Sequence, residues 1–208
     1  MNVLIVYAHP EPKSFNGAMK EAAAAALTEA GHAVTVSDLY AMNFDPVLRP
    51  EQFAQRLDPD QFKALHEQKH AAEAGALPAD VVAEIAKLKD ADLIIFQFPL
   101  WWGSMPAILK GYIDRVFAVG AVYGRGVTTL QGKRVLAAVT RSGSLAQRDE
   151  ETKAFEEETR HIRFNMFGLP GLDVQAPFLV PGPGAMTEEE RAAILAEYRE
   201  RLLELVGA

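Results

Sequence analysis

Residues 92–120 read DLIIFQFPLWWGSMPAILKGYIDRVFAVG, and the run Leu93-Ile94-Ile95-Phe96 within them is apolar at every position. A strand patterned this way must be covered on both faces, which marks the centre of a parallel sheet packed between helices. Four further strand patterns lie at 3–7, 33–39, 135–140 and 172–180. Helical patterns separate them: from Ser14 through the alanines at 22–26, at about 60–74 and 78–89, at 104–118, over the charged segment 147–163, and from Thr187 onward. Such alternation predicts an α/β fold, a doubly wound five-stranded parallel sheet in the order 2-1-3-4-5. No repeat or linker interrupts it, so residues 1–208 read as a single domain.

Composition narrows the class. The chain is 49% hydrophobic and 24% charged and has no cysteine, so it can bury a full core and uses neither disulfides nor thiolate chemistry. A net charge of −7 argues against a general nucleic-acid surface. The opening MNVLIVYAHP is too short an apolar run for a secretion signal, and no stretch reaches the roughly 18 apolar residues of a membrane span. The expectation is a cytoplasmic enzyme or binding protein without a membrane span.

In a doubly wound sheet, the loops after strands one, three and four meet at the carboxyl edge, near the point where the strand order reverses. Here they read HPEPKSFNGA, PLWWGS and TRSGS. The first brings the start of a helix at Ser14, Phe15 and Asn16, whose free amides and dipole suit a phosphate, with His9 able to donate to it. Ser14 taken alone reads better as a plain helix cap. The second, Pro99 to Gly103, holds both tryptophans of the chain, Trp101 and Trp102, and offers flat apolar walls to a heteroaromatic ring. The third, Thr140, Arg141, Ser142 and Gly143, offers hydroxyls and amides to polar ring atoms. Together they suit a flavin nucleotide. The first loop lacks both GxxxxGK[ST] and GxGxxG. His66 and His70 lie four apart on a helical pattern, but no third ligand stands near them in sequence, so no metal site is expected.

At VLIVYAHPEPKSFNGA, VTVSDLYAMNFDP and ADLIIFQFPLWWGSMPAILKGYIDRVF the chain resembles the NAD(P)H:quinone oxidoreductase family, the DT-diaphorase-like branch of flavodoxin-like proteins. The resemblance implies a flavodoxin-like fold and a homodimer with one FAD per subunit and active sites at the interface. It implies ping-pong, two-electron transfer from NADH or NADPH to a small quinone-type acceptor. By position, His9, Phe15 and Asn16 match the family's pyrophosphate side, and Leu100 to Gly103 its isoalloxazine side. Thr140 to Gly143 match the polar edge of the ring, and Arg191 an arginine near the adenine. Tyr123, with Val122 and Gly124 beside it, falls at a substrate-pocket tyrosine.

The chain departs from the family after strand four. Arg148 stands where the family has a tyrosine, and no histidine follows until His161, so no catalytic acid–base pair is carried over. Arg148 can serve as a cation beside a reduced flavin, or it can sit on a solvated face paired with Asp149 or Glu151. The close match at SFNG favours FAD over FMN. Alternative readings keep the flavin site: azo or nitro reduction, or a flavin-binding regulatory subunit of a potassium efflux system.

Overall fold

The structure, a computed structural model, describes residues 1–207. Its parallel sheet is built from β1 (Asn2–Tyr7), β2 (Ala33–Asp38), β3 (Leu93–Pro99), β4 (Arg134–Arg141), β5 (Asp173–Val174) and β6 (Phe178–Pro181). The order is β2-β1-β3-β4-β5, with β6 also paired to β4, so the doubly wound topology is the one expected from the sequence. All seven residues of β3 are buried, between β1 (Val3↔Leu93) and β4 (Leu93↔Arg134).

The predicted fifth strand is broken in two. Asp173 pairs with Arg134 and Val174 with Val135, but Phe178 pairs with Ala138, so three residues span a gap that β4 crosses with two. One extra residue makes a bulge, and Pro177, which has no amide to give to a ladder, lies within it. The apolar run alone hid this break.

Helices α1 (Phe15–Glu29) and α6 (Glu188–Val206) cover one face. Phe15, Met19 and Leu27 pack there with Ile194, Tyr198 and Leu202. Ser14 caps α1 by accepting from Gly17 N at 3.1 Å, and Thr187 and Glu190 form the capping box of α6. On the other face lie α2 (Ala64–Glu73), α3 (Ala79–Asp90), α4 (Ala107–Val116) and α5 (Arg148–Glu158). Ile85, Leu109, Tyr112 and Phe155 fill that core, and Phe167 stacks on Phe96 with ring centroids 4.8 Å apart.

Two helices are shorter than their sequence patterns. The pattern at 104–118 yields a helix only from Ala107, because Gly103 and Ser104 belong to a turn and Pro106 stands at the cap. The charged segment gives α5 as far as Glu158 and then a π-helical turn at Ile162–Gly168. The proline-rich excursion over 40–63 is tied down by buried charges. Arg115 donates to the Asp45 carbonyl and to Asp80 at 2.7 Å each, and Glu67 accepts from Arg56 Nε at 2.9 Å and Leu57 N at 2.8 Å.

Candidate functional site

The carboxyl ends of β3, β4 and β6 open on a cleft of about 620 Å³. Pro99, Leu100, Trp101 and Trp102 form one wall, Thr140 to Gly143 another, and Gly182 to Ala185 a third. Two of the three loops singled out in the sequence therefore share one cavity. The third wall escaped sequence reasoning, although PGPG follows the last strand and so had to emerge at the same sheet edge.

The tryptophan loop owes its shape to a two-residue turn. Trp101 N donates to Ser104 O at 2.9 Å and Ser104 N to Trp101 O at 3.1 Å. Both central residues have positive φ, Trp102 at 52° and Gly103 at 68°, as a type I′ turn requires. Glycine adopts this at no cost, whereas for tryptophan it is strained. The strained side chain is also fully exposed, at 104%. The fold thus holds an indole out at the cleft mouth without packing it against its own core.

The floor is tied together by buried hydrogen bonds. Tyr198 OH donates to Gln97 Oε1 at 3.2 Å, Gln97 Nε2 donates to the Asn16 carbonyl, and Asn16 Nδ2 donates to Thr140 Oγ1 at 2.6 Å. This chain runs from α6 through the central strand to the start of α1 and the end of β4. It fixes the first loop against the third, since every member is buried and each bond is costly to break. Three polar atoms at this edge are buried without a hydrogen bond: Tyr7 Oη, Asn16 Oδ1, and Arg141 Nε, which faces Glu151 Oε2 at 3.3 Å.

A close approach of two loops forms the cleft's end. A Cβ on Gly182 would lie 2.4 Å from the Gly143 carbonyl oxygen, and Gly182 has a φ of 63°. No side chain fits between them, so the backbones can meet and leave the space beside them open.

The first loop lies beside the cleft. The His9 ring is 6.2 Å from that of Trp101, and its Nδ1 accepts from Glu11 N at 3.0 Å. Burial lowers the His9 pKa, and the Glu11 carbonyl and carboxylate only partly offset this. Ser14 spends its hydroxyl on the cap, and the Phe15 side chain is core, so this loop presents the first-turn amides of α1, Phe15 and Asn16, which have no intrahelical acceptor. Arg191, in the first turn of α6, donates to the Pro183 carbonyl and lies over the Phe15 ring at 5.4 Å, placing its charge between the PGPG loop and α1.

Arg148 turns away. Its Nε donates to Leu179 O at 2.8 Å, its Nη1 pairs with Glu197 at 2.6 Å, and its guanidinium lies over Phe178 at 4.8 Å, against α6. Both sequence alternatives for it are corrected: it neither faces the cleft nor pairs with Asp149 or Glu151. Arg141 is the cation on the cleft wall.

Tyr123, Val122 and Gly124 do not line this cleft. Val122 is 1% exposed and belongs to the core, which corrects its placement in a substrate pocket. Gly124 turns the chain at a φ of 128°. Tyr123 is partly exposed and faces a separate groove of about 230 Å³ with Ile113, Phe117, Met166 and Leu169. Among the described residues no helix is long and apolar enough to cross a membrane, and no cluster of three or more His, Asp or Glu could hold a metal.

A doubly wound sheet whose strand-end loops close around one cleft defines a flavodoxin-like protein, and a family model of the flavodoxin-like fold matches residues 1–205. Ribosyldihydronicotinamide dehydrogenase [quinone] of Mus musculus is 40% identical over 209 residues, covering 96% of this chain and 90% of the relative. NAD(P)H dehydrogenase [quinone] 1 of Cavia porcellus is 38% identical over 96% of this chain and 75% of its own. A crystal structure of a candidate quinone reductase from Klebsiella pneumoniae superposes with a TM-score of 0.91 at 37% identity, covering 99% of this chain and 85% of that one. The chain belongs to the NAD(P)H:quinone oxidoreductase family within the flavodoxin-like fold.

Proposed function

We propose that this protein is a flavin-dependent NAD(P)H:quinone oxidoreductase that uses FAD, works by a ping-pong route, and acts as a cytoplasmic homodimer of one-domain subunits. One observation carries the reading: the cleft joins an apolar wall and a polar wall, and the start of α1 lies beside it along the same sheet edge. The residues present fit such a cofactor. Gly143 and Gly182 keep side chains out of the space, and Asn16 Oδ1 is a buried polar atom without a hydrogen-bond partner.

In this reading the amides of Phe15 and Asn16 at the start of α1 bind the pyrophosphate, with His9 and Ser14 beside them. Pro99 to Gly103 hold the ring plane, Thr140 to Gly143 meet its polar edge, and Arg191 lies toward the adenine. Bound flavin supplies the two-electron hydride chemistry that no side chain of this protein can perform. The protein's share is orientation and water exclusion: the tryptophan wall confines donor and acceptor in turn to one stacking space. The groove at Tyr123, flanked by the exposed Leu65 and Leu169, is the face we assign to a second copy, which would bring Tyr123 to the other subunit's cleft.

The test is an absorbance spectrum of the purified protein, with release and identification of the flavin. Rates with a benzoquinone follow, using NADH, NADPH and ribosyldihydronicotinamide as donors, the last because relatives carry it in their names. FAD content, parallel initial-rate lines and a dimer in sedimentation support the proposal. Failure to bind either FAD or FMN after reconstitution overturns it.

A further inference from the structure

We infer that Arg141 sets the redox potential of the flavin held in the cleft, and that Glu151 and Glu158 position its guanidinium and moderate its charge. This rests on the flavin reading above. Arg141 is the last residue of β4, locked between Pro99–Thr140 pairing on one side and Gly182 N, which donates to its carbonyl at 2.9 Å, on the other. Its side chain is 18% exposed, and the residue is one of those that line the cleft.

The guanidinium is held from behind, by α5. Nε lies 3.3 Å from Glu151 Oε2 without hydrogen-bond geometry, and Nη1 lies 3.4 Å from Glu158 Oε2. These contacts are long for charge-assisted bonds, so donors remain for an acceptor in the cleft. Neither carboxylate lines the cleft, and among the described residues Arg141 is the one charged residue that does. Glu151 is close behind: its Oε1 packs against Gly143, 2.6 Å from where a Cβ would stand.

Reduction by two electrons makes the flavin ring more negative. A fixed cation in a partly desolvated wall favours that form over the oxidised one, and a carboxylate behind it opposes. Arg141 therefore does for the ring what the sequence had offered to Arg148, which the fold uses instead to join β6 to α6.

The experiment measures the two-electron midpoint potential of protein-bound flavin, with flavin affinity for the oxidised form measured alongside. Arg141→Gln should weaken binding of reduced relative to oxidised flavin by about tenfold or more, a fall of ~30 mV or more for a two-electron couple. Arg141→Lys should restore most of the potential, and Glu151→Gln, which keeps the packing on Gly143, should raise it. An Arg141→Gln protein that binds flavin at the wild-type potential overturns the inference. If that variant binds no flavin, Glu151→Gln decides: a raised potential upholds the assignment and an unchanged one overturns it. Absence of flavin from the wild-type protein instead overturns the function proposed above, and this inference with it.

Discussion

Replacing Trp102 by glycine should stabilise the empty protein and weaken the loaded one, and the opposition of signs is the informative part. In the free chain the indole is 104% exposed, so its removal forfeits no packing. Its φ of 52° carries a left-handed penalty of about 1–2 kcal/mol for a residue with a Cβ. Glycine escapes that penalty but gives the unfolded chain more freedom, which costs about 0.4–1 kcal/mol. The balance is a gain of roughly 0.5–1 kcal/mol, or a rise of about 1–4 °C in Tm for a chain of this size. The loaded state should respond the other way. If a flavin or a second subunit covers half of the indole, about 100 Å² of apolar surface leaves water, worth ~2.5 kcal/mol. Its loss should raise the flavin dissociation constant between ten- and a hundredfold. The assays are thermal unfolding of the flavin-free protein and fluorescence titration with FAD. Unchanged affinity would show that the strained indole serves neither cofactor nor cleft, and a lower Tm without flavin would show that it packs in the free chain after all.

Gly182→Ala should remove at least about 2 kcal/mol, a fall of roughly 4–8 °C in Tm, because its Cβ would strike the Gly143 carbonyl and its φ is positive. Flavin affinity should fall with it, as the loops on either side are forced apart. Gln97→Leu, at the centre of the sheet, leaves Tyr198 OH and the Asn16 carbonyl without their partner and should cost about 2–4 kcal/mol in urea unfolding. An unchanged midpoint would mean that the buried chain of hydrogen bonds contributes nothing net. His9 has a folded pKa below its ordinary value of 6.5, because burial penalises the cation. The unfolded chain then takes up the proton first, so stability is complete above pH 6.5 and declines as the pH falls below it. His9→Gln should flatten that decline, and identical pH–stability curves for the two proteins would refute the assignment.

Much of this protein is written in local pattern. The apolar run at 93–96, the alternation of strands with helices, and the caps at Ser14 and Thr187 each follow from neighbouring residues, and they suffice for the sheet order and for the edge where the loops gather. The tryptophan loop and the Thr140–Gly143 loop could be placed together because a parallel sheet puts every strand end on the same side. The family resemblance extended this to a ring and a phosphate side.

Other features depend on residues far apart in sequence, and no local pattern reports them. Nothing near Arg148 reveals that Glu197 and Leu179 O would draw it toward α6, while Arg141, seven residues earlier, stays on the cleft wall. The break between β5 and β6 shows only once the strand is laid against β4 and one residue is found to be surplus. Val122 reads like its neighbour Tyr123, yet one is core and the other faces a groove. The open end of the cleft comes from two glycines 39 positions apart. Sequence determined which loops would meet, because periodicity and strand order are local in origin. Only the tertiary structure decided which charge faces the cleft, because that choice is made by partners that the fold brings together.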